Sequence, residues 1–354
     1  MKNFIAVIAV YLALFSCSQE GFAQGRISNP DLKKLRMLDD SLRQFGNKML
    51  DAELSTDRLR ADSLFTRVLV RALVVPFSYQ FRFDSMDMAP IVYPQDSSFR
   101  IITWHVPYEL GNFRQKGVIQ MNTKNGSPKL FPLFDVSDYD TTLQFGIRKP
   151  NNWVGAVYYR ILQNEDNARK VYTLLGYDEN SSLTTRKWID FLQFDESGEP
   201  IFGGNFMKFS HDSIYNQRAS RYLYEYKKLG NARLNFDDDE NVIVLDHLIS
   251  ETGEKDKRFT LIPGGDYETF KWQNGYWVHN NKWFMENRGD DNAPLQMTIL
   301  DDKGNVNQAA IDRQNALNLE KEILNQAESL PAPVKADPAK SPGKIKKKKK
   351  DRKD

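Results

Sequence analysis

Between residues 77 and 286 the apolar residues recur every second position rather than every third or fourth, and this period sets what the chain can fold into. Tyr79, Phe81 and Phe83 alternate with Gln80 and Arg82, and Phe99, Ile101 and Thr103 with Arg100 and Ile102. Similar runs follow at 118–120, 130–136, 154–162, 170–177, 187–194, 200–209, 222–227, 232–236, 242–248, 258–262, 267–272 and 276–278. They are short, rich in aromatic and β-branched residues, and separated by Gly, Asn, Asp and Ser clusters, which predicts a succession of antiparallel strands. No helical stripe interrupts them, so βαβ units and a nucleotide-binding parallel sheet are disfavoured. A sheet system of this size calls for a large sandwich or a barrel-like closure.

The flanks have the other period. In residues 24–76, Leu32, Leu35, Leu38, Leu42, Phe45 and Met49 predict one amphipathic helix, and Leu59, Leu64, Phe65, Val68, Leu69 and Leu73 a second, which Pro76 stops. Asn29 before Pro30 reads as the first N-cap and Ser55-Thr56-Asp57 as the second. In the connector 287–330 a weaker stripe, Val306, Ala310, Leu317, Ile323 and Leu324, predicts a C-terminal helix. Residues 331–354 dissolve into Pro, Ala and Lys, a composition that predicts disorder. The fold class expected is therefore α+β, predominantly antiparallel β: a helical pair, a β domain over 77–286, a C-terminal helix and a Lys-rich tail.

Residues 1–23 read as a signal peptide. Lys2 supplies the positive end, and Phe4 to Ser16 an apolar stretch too short for a comfortable membrane helix. Gly21-Phe22-Ala23 puts small residues where signal peptidase needs them, which leaves Gln24 as the mature N-terminus. Leu14-Phe15-Ser16-Cys17 gives the alternative, a lipobox with Cys17 lipidated. Cys17 is the single cysteine, so there is no intramolecular disulfide, cysteine nucleophile or cysteine-based metal site to expect. An exported chain without disulfides fits a bacterial envelope. The expected location is the periplasm or the outer membrane of a Gram-negative bacterium, with no membrane span in the mature chain.

Charge is segregated. The chain has 49 Lys and Arg against 47 Asp and Glu, but its last 24 residues hold ten of the basic and three of the acidic ones. The preceding chain, with 39 against 44, is at −5 and the tail at +7. Lys344, Lys346, Lys347, Lys348, Lys349, Lys350, Arg352 and Lys353 are candidates for contact with anionic envelope polymers or lipid headgroups. With an export signal present, nucleic acid is not an expected partner, whereas other envelope proteins are.

Chemistry-bearing motifs are sparse. His105, His211, His247 and His279 lack metal-ligand spacing, and there is no P-loop, G-x-G-x-x-G or nucleophile elbow. No catalytic residue, cofactor or metal is expected. His247, inside a strand pattern, reads as a partly buried histidine satisfied by a neighbour. Tyr177-Asp178-Glu179-Asn180, Phe194 to Gly198, Phe236 to Asn241 and Leu300 to Gly304 each set acidic residues before Gly or Asn and read as hairpin turns rather than calcium loops. Tyr267, Phe270, Trp272, Tyr276, Trp277, Trp283 and Phe284 form the densest aromatic cluster, part of it a hairpin across Asn274-Gly275. Trp272, Trp277 and Trp283 are candidates for stacking on a ligand, while Trp104 and Trp188 read as core. These features favour a non-enzymatic binding or scaffolding component. The alternative is a glycan-active hydrolase, for which Asp190, Glu199, Glu225 and Glu268 are acidic residues near aromatics; such chemistry needs two carboxylates about 5 to 9 Å apart.

Phe99 to Trp104, Trp153 to Tyr159, Tyr172 to Tyr177 and Val244 to Leu248 resemble segments of an uncharacterised family of exported, β-rich envelope proteins of Bacteroidetes type. The resemblance spans roughly residues 77 to 280, judged by strand patterning. It implies an exported β-rich domain and carries no activity or site residue.

Overall fold

The computed structural model describes residues 25–281 except 110, 167–168 and 210–217, and all of these belong to one compact unit. The expected signal peptide with Cys17, His211, Trp283, the expected C-terminal helix and the Lys-rich tail lie outside the described residues.

Two helices open the fold, α1 (Asn29–Asp51) and α2 (Ser55–Leu73). The cap of α1 is Ser28 rather than Asn29: the Ser28 hydroxyl accepts from the Asp31 amide at 3.2 Å, and Asn29 is already helical. For α2 the Ser-Thr-Asp group lies inside the helix, and Leu54 is an N-cap without a side-chain bond. The Ser55 hydroxyl is instead engaged by the Arg58 guanidinium, which also takes the Ala52 and Glu53 carbonyls left open at the turn. The last helical residue, Leu73, precedes Pro76 as expected.

The strands are β1 (Ile91–Val92), β2 (Phe99–Glu109), β3 (Asn112–Met121), β4 (Leu130–Phe134), β5 (Val157–Asp166), β6 (Arg169–Asp178), β7 (Thr184–Phe194), β8 (Pro200–Phe202), β9 (Met207–Lys208), β10 (Tyr222–Lys227), β11 (Leu234–Asp237), β12 (Val242–Ser250), β13 (Leu261–Gln273) and β14 (Tyr276–Asn280). They form three sheets: β1-β2-β3-β4; β10-β7-β6-β5 with β8 also on β7; and β11-β12-β13-β14-β9. Every pairing is antiparallel except β9 with β14. The sheets are open, so the barrel-like reading gives way to stacked sheets.

Side-chain alternation fixes the stacking. On β2, Ile102, Trp104 and Val106 pack on the helices, while Phe99 and Ile101 turn to the second sheet. On β6, Tyr172 and Leu174 face the first sheet, while Val171 and Leu175 face the third. On β7, Trp188 and Leu192 divide from Ile189 and Phe191 in the same way. The result is a four-layer order, helices, sheet, sheet, sheet, with a core in each of the three gaps. The first two sheets are apolar on both faces, which is why Ile101-Ile102 and Leu174-Leu175 read as continuous apolar pairs. Trp104 and Trp188 are core, as expected. No helix among the described residues is long and apolar enough to cross a membrane.

Three strand expectations are corrected. The Tyr79–Phe83 run is no strand: Phe77 is left-handed at φ 59° and Ser78–Gln80 form a 3-10 turn. Arg100, fully buried, donates to the Ser78 and Phe81 carbonyls at 3.1 and 2.9 Å and lies over the Tyr79 and Phe83 rings. Its guanidinium thus satisfies carbonyls that a strand partner would otherwise take. The 200–209 run splits into β8 and β9 where Gly203 and Gly204 adopt φ of 88° and 158°. Arg258–Thr260 is a 3-10 turn, and the strand starts at Leu261.

Candidate functional site

The third sheet brings together three residues that the sequence presents separately. Hairpin β13-β14 turns on Asn274-Gly275, both at positive φ, and pairs Phe270 with His279. Glu268 therefore lies one same-face step from that pair, since alternate residues of a strand share a face. On β12, Leu245 pairs with Glu268, so His247, two residues on, shares that face; the register then shifts between Asp246 and Leu248, where Gly264 to Asp266 of β13 stand unpaired opposite His247. His247 Nδ1 then lies 2.5 Å from Glu268 Oε1, and His279 Nε2 lies 2.7 Å from Glu268 Oε2. One carboxylate clamps two imidazoles across three adjacent strands.

Burial pushes the Glu268 carboxyl up, but the hydrogen bonds from His247 and His279 outweigh it and hold the group at about 2. The bond to Glu268 raises His247 above the ordinary imidazole value, against the opposing effect of burial. His279 is walled by Phe270 and Phe209, with ring centroids 4.8 and 5.6 Å away, and Tyr222 packs on both phenyl rings. Burial, then the Glu268 charge, pushes the Tyr222 phenol up. His247, 45% exposed, is the member of the clamp that reaches solvent. A fixed anion holding two imidazole N–H groups orients both rings, favours the charged form of His247 and leaves neither of its own oxygens free.

The other expected residues are placed apart from the clamp. Asp190 is fully buried, bound by Arg221 Nε at 2.9 Å, the Tyr158 hydroxyl at 3.2 Å and the Phe191 amide at 2.9 Å. Glu225 is held by Arg186, Thr184 and Asn180. Glu199 is an exposed loop residue 3.9 Å from Lys149. Each of the four carboxylates thus has its own set of partners. Trp277, 1% exposed, donates its indole N–H to Thr173 Oγ1 at 2.8 Å, so its ring offers no face for stacking and that candidate is withdrawn. Trp272 is half-buried with its ring edge on Trp277 at 5.5 Å. His105 sits 3.4 Å from the Tyr177 hydroxyl, and burial lowers its pKa. No group of three His, Cys, Asp or Glu among the described residues could hold a metal ion.

Three of the acidic turns behave as the turn reading expects. Asp178, Asp195 and Asp237 accept amide bonds from the residues two positions on, and Asn180, Gly198 and Asn241 take the positive φ. The fourth, Leu300 to Gly304, lies outside the described residues. Sequence reasoning missed the clamp because period-two alternation assigns faces within one strand and not which residues of neighbouring strands stand side by side. It also missed two buried polar contacts, Asp62 with Trp104 and Lys116, and Asp178 with Gln115.

No protein-family model, curated protein or solved structure matches the chain.

Proposed function

We propose that this chain is an exported envelope protein that binds or scaffolds rather than catalyses, lodged in the periplasm or at the outer membrane of a Gram-negative bacterium. The observation that carries the reading is charge segregation: +7 over residues 331–354 against −5 over the rest. The folded body supports it by spending its chemistry internally. Asp190, Glu225, Glu268, His247 and His279 are each engaged by another side chain of the same unit. The functional contact is then the run Lys344 to Lys353 on an anionic partner, a phospholipid headgroup, lipopolysaccharide phosphate or cell-wall polymer. Such contacts contribute about 1 kcal/mol per basic residue near an anionic surface, and they fade as salt shortens the Debye length to about 10 Å at 0.1 M.

Co-sedimentation with phosphatidylglycerol vesicles tests this. The full mature chain is expected to bind at low salt and release at high salt, and a chain ending at residue 330 is expected not to bind. Equal binding by the truncated chain overturns the reading. Mass spectrometry of the native N-terminus decides export and its form: Gln24 or a lipidated Cys17 supports it, and an intact Met1 removes it.

A further inference from the structure

The seam between the first and second sheets holds a buried side-chain pair that can exist in two hydrogen-bonded states. Gln115 on β3 stands opposite His105 of β2, and Asp178 closes β6 opposite Arg186 of β7. Both are 2% exposed. Gln115 donates through Nε2 to Asp178 Oδ1, so a side chain of one sheet is bonded to the end of the next. The same oxygen accepts the Asn180 amide at 2.7 Å. At its other end, Gln115 Oε1 is buried with no hydrogen-bond partner. An orphaned amide oxygen beside a buried carboxyl marks an arrangement with a second state, because an amide can present either a donor or an acceptor to the same neighbour.

The charges around Asp178 favour using both states. Asp135 faces the pair from the end of β4, accepting the Gln115 backbone amide at 3.2 Å and the Ser137 amide at 2.8 Å. Gly155, at φ +68°, lies so close behind Asp135 that a Cβ there would sit 2.3 Å from Oδ1. Glu179 adds a second negative neighbour, though Lys228 pairs with it. The facing cation Arg186 is bound to Glu225 at 3.3 Å. Burial first, then Asp135 and Glu179, push the Asp178 carboxyl up, the Asn180 amide and Arg186 oppose them, and the net value is about 7.

We propose that Asp178 and Gln115 form a proton-operated switch in the seam between the first and second sheets. With Asp178 ionised, Gln115 presents Nε2–H to the carboxylate. With Asp178 protonated, the amide turns over, and Oε1 accepts the carboxyl O–H. The proton comes from and returns to solvent, and no covalent bond other than O–H changes. The switch is independent of what the tail binds, so either reading can fail without the other.

The test is NMR of the full mature chain labelled with ¹⁵N-glutamine, with the Gln115 side-chain resonances assigned by their loss in Gln115→Met. Between about pH 5 and about pH 9, on either side of the raised carboxyl, the Gln115 NH₂ pair is expected to shift with a midpoint near 7, and Asp178→Asn is expected to abolish that shift. An invariant Gln115 signal, or a titration that survives in Asp178→Asn, overturns the proposal. Should Asp178→Asn not fold, the Asp178 carboxyl ¹³C signal of the unsubstituted chain decides. A midpoint near 7 in step with Gln115 supports the switch, and one in the ordinary carboxylate range removes it.

Discussion

Glu268 shows how much one side chain can hold. It bonds β12 to β14 through its own strand, and its own lowered pKa and the raised pKa of His247 set opposite pH limits on that contribution. A carboxyl held low stabilises the fold above its unfolded value of 4.5 and loses this as pH falls toward 2. A histidine held high stabilises fully below its unfolded value of 6.5 and loses this as pH rises through its folded value. The clamp therefore contributes most between these limits. Glu268→Gln is expected to cost about 2 kcal/mol there, the scale of hydrogen bonds to a charged group. Urea unfolding near pH 5.5 and pH 9 checks this, with a smaller difference expected at the higher pH. The sequence supplied each member of the clamp but not the pairing of Leu245 with Glu268 and of Phe270 with His279, since register is a property of two strands and only one is read at a time. The Asp178–Gln115 pair was hidden in the same way: Asp178 does form the turn bond its local pattern implies, and the same oxygen carries a second bond that no local pattern contains.

Among the elements, the helical pair was the most legible, because a stripe at three- and four-residue spacing needs no partner to be recognised. What fastens it was not. Asp62 of α2 is buried, accepts the Trp104 indole N–H of β2 at 3.0 Å and pairs with Lys116 of β3, while Phe65 lies edge-on to Trp104 at 5.2 Å. Lys116 is 38% exposed, so solvent screens the ion pair, and the indole bond carries more of the attachment. Asp62→Ala leaves a buried indole N–H unpaired and is expected to cost about 1–3 kcal/mol, whereas Asp62→Asn keeps an oxygen for Trp104 and is expected to cost less than about 1 kcal/mol. Chemical denaturation of both variants separates the two contributions; equal losses would assign the attachment to the charge. The Tyr79–Phe83 segment was misread for the converse reason. Its alternation is real, but it serves to wrap rings around Arg100, a residue on another element.

At the scale of the molecule, strand-like segments could be counted from sequence, but their division into three sheets depends on pairings between distant segments. The layer order makes the helices part of the core rather than an appendage. Ile102, Trp104, Val106 and Val118 are buried beneath them. A chain beginning at residue 77 is expected to expose that face and to bind a hydrophobic dye or aggregate, as large bare apolar patches do. A soluble, dye-silent product would show the sheets to be self-sufficient. Most of the strand ladder can assemble by neighbours: β2 with β3, β5 with β6, β6 with β7, β12 with β13 and β13 with β14 are hairpins. The parallel pairing of Met207 with Trp277 is different, because all of β10 to β13 lies between its partners. Closing so long a loop for a two-residue contact loses much chain entropy and gains few bonds. That contact should therefore form late, and its arrival sets the kinetics of the final step: refolding followed by Trp277 burial will lag behind refolding followed by strand content.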